Sequence, residues 1–262
     1  MTTTSETAAR PVLTTLEEGG ALLRLTLQHG KGNVLDMAAI SALRQALRAA
    51  REQPAVRAVL LCAAGKHFSF GASVEEHLPG KVGAMLPAFH ALFRDLFASG
   101  KPLLCAVRGQ CLGGGLELAA ACQRVFAAPD ARLGQPEVKL GVIAPVASLL
   151  LPRRVGQAAA DDLLLTGRTV SGEEALRLRL VDELALDPEA AALAWFREHL
   201  LPLSAAALGH AVRAARHELE RALEAGLAEL ERQYLDDLMH THDAGEGIAA
   251  FLEKRTPRWT HS

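Results

Sequence analysis

The chain has no field of one charge: 28 Lys and Arg stand against 30 Asp and Glu, a formal net charge of −2 over 262 residues. Nucleic-acid and anionic-membrane binders concentrate basic residues, so neither class has electrostatic support here. Long hydrophobic runs are missing too. Half of the residues are apolar, yet no uninterrupted stretch approaches the ~18 residues of a bilayer span. Residues 1–10 are polar and Thr-rich and lack an apolar signal core, which predicts a cytoplasmic protein with a loose N-terminus. Cysteine pairing motifs are also lacking. Cys62, Cys105, Cys111 and Cys122 form no C-x-x-C and read as buried reduced thiols. His240-Thr241-His242-Asp243 has no Cys or third His nearby, so it reads as a solvated helix end, and no metal is expected.

What the chain does hold is the pattern of a single α/β domain, or of one domain with a helical appendage. Residues 12–16 and 21–27 alternate apolar and polar side chains around Glu18-Gly19-Gly20, a hairpin signal. Asp36 is placed to cap a helix over residues 37–50, where Ile40, Leu43 and Leu47 share one face. Residues 56–62 read as a buried strand. Met85, Leu86, Phe89, Leu92, Phe93 and Leu96 recur at helical steps within residues 82–97. Phe89 and Phe93 read as core there, with the lining of a pocket as the alternative, and His90 as a surface or satisfied histidine. From Pro188 onward the pattern is nearly all helix, over residues 190–200, 204–239 and 245–252.

The chemistry concentrates between Lys101 and Gly141. Leu103-Leu104-Cys105-Ala106-Val107 reads as a buried strand. Gly109 and the triplet Gly113-Gly114-Gly115 follow it, and the triplet runs straight into Leu116-Glu117-Leu118-Ala119-Ala120-Ala121. Glycine lets bare backbone approach closely, and the unpaired N–H groups of a helix start attract negative charge. Glu117 lies in that first turn. Glu137 follows in Leu133-Gly134-Gln135-Pro136-Glu137, a Gly/Pro-bounded loop. Backbone donors beside two carboxylates suit oxyanion stabilisation and proton transfer.

GQCLGGGLELA resembles the oxyanion-hole motif of the crotonase (enoyl-CoA hydratase/isomerase) superfamily, and LGQPEVKLG resembles its second-glutamate motif. FSFGASVEEHLP is similar to the first oxyanion segment, with Ser73 where an aspartate is usual. The Pro-Gly-x-Gly-Gly stretch of ordinary hydratases is replaced by Ala144-Pro145-Val146-Ala147-Ser148, so a reshaped pocket is expected beside Glu137. Together these segments look most like the subgroup of hydratases acting on a cyclic dienoyl-CoA. The resemblance covers about residues 12–256.

It implies a crotonase-like α/β spiral of ββα turns: core 11–200, then a helical region 201–262 for oligomerisation and for covering coenzyme A. It implies Glu117 and Glu137 as catalytic residues and the amides of Ala72 and Gly114 as the oxyanion hole. Contacts to the thioester or its CoA are expected from Lys31, Phe70, Gly71, Ala144, Pro145, Phe251 and Lys254. Homotrimers or dimers of trimers are implied, with an acyl-CoA substrate, no separate cofactor, and no nucleic-acid or membrane partner. The implied reaction is hydration of cyclohexa-1,5-diene-1-carbonyl-CoA to 6-hydroxycyclohex-1-ene-1-carbonyl-CoA in anaerobic aromatic degradation. The rival readings are a general straight-chain 2-enoyl-CoA hydratase, a Δ3,Δ2-enoyl-CoA isomerase and a non-catalytic RNA-binding relative. Which glutamate is the base stays open at this point.

Overall fold

The computed structural model describes residues 10–262, so the segment expected to be loose lies, Arg10 aside, outside the described residues. β1 (Val12–Glu17) and β2 (Leu22–Leu27) form the expected antiparallel hairpin, with Val12 opposite Leu27 and Glu17 opposite Leu22. α1 (Met37–Arg51) starts where the Asp36 side chain accepts the Ala39 amide at 2.9 Å, and it buries Ile40, Leu43 and Leu47. β3 (Ala58–Ala63) is buried throughout and runs parallel to β2.

One unit then repeats. A strand enters a large sheet, a shorter strand or bridge enters a small one, and a helix leads back. After β3 the second member is Ser69, bridged to Cys111, and the helix is α2 (Val82–Ala98). The next turn is β4 (Leu103–Val107), β5 (Gln110–Leu112) and α3 (Gly114–Ala121). The last is β6 (Arg124–Ala127), β7 (Arg132–Gly134), a 3-10 turn over Pro136–Leu140, and α4 (Pro145–Val155). α5 (Gln157–Thr166), β8 (Thr169–Ser171), α6 (Gly172–Arg177) and β9 (Glu183–Leu184) close the spiral. The large sheet runs β1-β2-β3-β4-β6-β9 and the small one β5-β7-β8. In the large sheet every neighbour pair from β2 to β9 is parallel, whereas in the small sheet β5–β7 is parallel and β7–β8 antiparallel.

Strands of a parallel sheet are covered on both faces and so carry continuous apolar runs. Leu23, Leu25, Val59, Leu61 and Cys105 face the main core with α1 and α2. Leu22, Leu60, Leu104 and Phe126 face Ala192 and Phe196 of α7 (Pro188–His199). α8 (Ala205–Arg232) runs on through a π-helical turn, Gln233–Asp237, before α9 (His242–Leu252). Leu223, Leu227, Tyr234, Ala244 and Ile248 pack into the main core, so this helical region shares the core of the spiral.

α9 matters for the site. Gly141 has φ +70°, and a Cβ there would stand 2.7 Å from the Asp243 carbonyl oxygen; a Cβ on Gly247 would be driven into the Leu140 carbonyl. The start and middle of α9 therefore rest directly on the turn that carries Glu137.

His90, read as a surface or a satisfied histidine, is fully buried in α2: its Nδ1 lies 2.6 Å from Glu231 Oε2 of α8, which covers a helix face that would otherwise meet solvent, while its Nε2 has no partner among the described residues. The helical pattern expected over residues 204–239 is present as α8, the π-helical turn and a 3-10 turn that ends at His240. All four cysteines are free and buried. Among the described residues no helix is long and apolar enough to cross a membrane.

Candidate active site

The floor of the site is made where α3 leaves β5. Gly113 has φ 52° and ψ −127°, a region closed to residues with a Cβ. A Cβ there would also stand 2.6 Å from Glu137 Oε1. Gly71 has φ +98°, and a Cβ would meet the Leu112 carbonyl oxygen at 2.8 Å. Two glycine segments thus lie backbone against backbone. They bring the amides of Ala72 and Gly114 to one spot: a Cβ built on Gly114 stands 3.2 Å from Ala72 N, and one built on Gly71 stands 3.2 Å from Gly114 N. Among the described residues neither amide has a hydrogen-bond acceptor, so both are free to meet a developing oxyanion.

The loop bearing Gly71 and Ala72 is pinned from beneath. Buried Ser69 receives the Gly71 amide on Oγ at 3.0 Å and donates to the Asn33 carbonyl at 2.7 Å. Asn33, buried with φ +47°, donates through Nδ2 to the carbonyls of Ala64 and His67 at 3.0 and 2.9 Å. These bonds fix an irregular loop that has no ladder of its own. Ser73 leaves the floor intact: its amide bonds the Leu35 carbonyl at 3.2 Å, and its own carbonyl accepts His77 Nδ1–H at 2.7 Å.

Glu117 is 3% exposed. The Ala147 amide, at the start of α4, donates to its Oε1 at 2.7 Å, and the Val146 amide also favours its charged form. Burial and the neighbouring charge of Glu137 nonetheless raise its pKa well above the usual carboxylate range. Glu137 is raised as well, chiefly by burial. Its Oε2 is buried and has no hydrogen-bond partner among the described residues. The two acids therefore form a coupled pair that holds on to a proton into the neutral range.

Both acids line a single cavity of about 680 Å³, within the usual size of a small-ligand site. Phe70, Gly71, Ala72, Gly114, Ala144, Pro145 and Phe251 line it too. Lys31 and Lys254 do not line it. Both are exposed, Lys31 on the loop beside Gly32 and Lys254 just past the end of α9 with φ +56°. The neighbouring Arg255 lines the cavity mouth, held by Glu246, as does Lys139. Phe89, expected in the core, also reaches the cavity wall; a Cβ on Gly114 would stand 2.9 Å from its Cζ. His77 and Tyr234 were not singled out as sites in the sequence, and both line the cavity. Helical periodicity identifies only an inward face, and it does not separate core from cavity.

The replaced segment at 144–148 turns out to have two jobs. Ala144 and Pro145 are cavity wall, while the amides behind them hold Glu117. Pro145 suits the first turn of α4, where its missing N–H costs no helix bond.

Comparison with known proteins agrees with this geometry. The profile of the family described as Enoyl-CoA hydratase/isomerase matches residues 17–262. The chain is 55% identical over 252 residues to the cyclohexa-1,5-dienecarbonyl-CoA hydratase of Thauera aromatica, covering 96% of this chain and 98% of that one. It is 32% identical over 255 residues to the carnitinyl-CoA dehydratase of Salmonella arizonae, covering 93% and 97%. A crystal structure of an enoyl-CoA hydratase/isomerase from Pseudoalteromonas atlantica superposes with a TM-score of 0.85 at 28% identity, covering 95% of this chain and all of that one. The fold expected from the resemblance, the crotonase spiral, is the fold observed. The chain belongs to the enoyl-CoA hydratase/isomerase (crotonase) family and is a hydro-lyase.

Proposed function

We propose that this enzyme adds water to cyclohexa-1,5-diene-1-carbonyl-CoA, giving 6-hydroxycyclohex-1-ene-1-carbonyl-CoA, a step of anaerobic benzoyl-CoA degradation. The observation that carries the reaction is one cavity holding two raised carboxylic acids and two unpaired backbone amides. The 55% identity to the Thauera aromatica hydratase supports the cyclic diene as the acyl group. Similarity at 32% to a carnitinyl-CoA dehydratase is a reminder that the family scaffold alone does not set that choice.

In this reading the thioester oxygen takes the amides of Ala72 and Gly114. Glu117, whose charged form the α4 amides bond, removes a proton from water. The water oxygen bonds to the β-carbon, and charge spreads through the thioester and the second double bond. Glu137, whose Oε2 has no anion-stabilising partner, supplies a proton to the far carbon of that dienolate. One C=C then stays conjugated with the thioester, which protonation at the α-carbon would lose. Ala144 and Pro145 would press the ring into place for that distal delivery. Atoms balance with one water and no further reactant, so no cofactor is invoked. We infer assembly as trimers or dimers of trimers, and a cytoplasmic setting consistent with four free thiols.

The test is a side-by-side hydration assay on cyclohexa-1,5-diene-1-carbonyl-CoA and crotonyl-CoA. We expect kcat/KM to favour the cyclic diene at least about 100-fold, the size of an effect that hydrophobic shape selection reaches. Preference for crotonyl-CoA would make the protein a general straight-chain hydratase.

The acid pair also predicts two pH effects. Activity should be bell-shaped, because water activation needs one carboxylate and carbon protonation needs one acid. Stability should move in one direction only. Both acids are raised in the folded state, so the unfolded chain loses these protons first as pH rises. The native state is then favoured near and below the ordinary carboxylate range, and that increment is lost as pH climbs through the raised values. Urea melts from pH 5 to 9 should show the decline, and Glu117→Gln should flatten it.

A further inference from the structure

The cavity contains a polar group that this mechanism leaves idle. Tyr234 is the chain's one tyrosine, and it is 1% exposed. Its hydroxyl is buried and has no hydrogen-bond partner among the described residues, although the side chain lines the same cavity as the two acids. It sits on the π-helical turn Gln233–Asp237, a rare backbone form that often marks functional positions. A phenylalanine would fill the space without stranding a polar atom, so the hydroxyl calls for a partner that arrives with the ligand.

The candidates for that partner can be narrowed. The thioester oxygen is claimed by the amides of Ala72 and Gly114. His77, whose ring centroid is 6.4 Å from that of Tyr234, uses its Nδ1–H on the Ser73 carbonyl. Both glutamates act electrostatically on the phenol, although neither accepts its proton. With burial they push its pKa up, which keeps it a neutral donor. A neutral donor near two carboxylates, yet bonded to neither, belongs to a side chain in the wall of the cavity in which they handle water.

We propose that Tyr234 contacts the reacting oxygen: its phenol hydrogen-bonds the atom that enters as water and remains as the product hydroxyl. The phenol neither gains nor loses a proton. It aims the lone pair of water at the β-carbon while a carboxylate takes the proton, and it then binds the new C–OH group. This inference rests on the hydratase reading.

The test is Tyr234→Phe in the full-length enzyme, assayed with whichever of the two thioesters the wild type hydrates faster. We expect kcat to fall roughly 10–100-fold with KM changed less than about threefold, as for an interaction made mainly in the transition state. Inhibition by the hydroxylated product should weaken about tenfold, while a hydroxyl-free acyl-CoA of the same carbon skeleton inhibits as before. The melting temperature should hold or rise, since the variant removes an unpaired buried polar atom. Wild-type kcat and product affinity would overturn the proposal. So would equal weakening of both inhibitors, or a lower melting temperature, because either result assigns the hydroxyl a packing role. If the wild type hydrated neither thioester, the hydratase reading itself would fail and this inference with it, an outcome recognisable because Glu117→Gln would then have no activity to lose.

Discussion

Glu117→Gln and Glu137→Gln should each lower kcat by roughly 10²–10⁴-fold, the usual worth of a positioned acid or base. Glutamine keeps the shape of the side chain and the hydrogen bond from the Ala147 amide, but it cannot carry a proton between water and carbon. The double variant should be little worse than either single one, because residues acting as a unit lose their combined effect at the first substitution. KM for the acyl-CoA should change little, since binding rests on the apolar walls and on the amides of Ala72 and Gly114. Melting temperatures should hold at neutral pH, because neither variant opens a cavity. Steady-state kinetics with a thermal melt checks all of this. Retained turnover in either variant would remove that residue from the mechanism and leave a one-acid reaction, as an isomerase can use.

Gly113→Ala should be nearly as damaging although it removes no functional group. The position has φ 52° and ψ −127°, and the added methyl would stand 2.6 Å from Glu137 Oε1. Backbone strain of this kind costs about 1–3 kcal/mol, and each kcal/mol lowers the melting temperature of a chain this size by roughly 2–4 °C. The larger loss is kinetic. The methyl pushes the Glu137 carboxylate aside and tilts the Gly114 amide, and a displacement of about 1 Å can cost 10²-fold in rate. We expect kcat down at least about 100-fold. Gly65→Ala is the control: Gly65 has φ +82° with nothing within 4 Å of a built Cβ. It should lose some stability and keep full activity, separating strain from the steric effect. Equal rates for the two variants would show that Gly113 serves the turn and not the carboxylate.

Much of the architecture was legible because its signals are local. Asp36 before an apolar face predicts the start of α1, Glu18-Gly19-Gly20 predicts the first hairpin, and continuous apolar runs predict strands buried on both faces. A helix start preceded by glycines and followed by Glu117 is likewise a short-range pattern, and so is Glu137 in its Gly/Pro loop. Phe89 and Tyr234 show where such reading stops. An inward-facing residue meets either a neighbour or a cavity, and only packing between distant segments decides which.

The sequence alone determined the run of elements, the two carboxylates and the bare-backbone turns, because each is encoded within a few residues, and its composition determined the nearly balanced charge. Tertiary structure decided what those parts do together. The spiral brings Gly71 against Gly113, the start of α4 against Glu117, and α9 against the turn bearing Glu137. None of these meetings leaves a trace in local propensity. Each arises because burying the apolar faces of the two sheets and the C-terminal helices in one core leaves the glycines as the places where backbone can meet backbone.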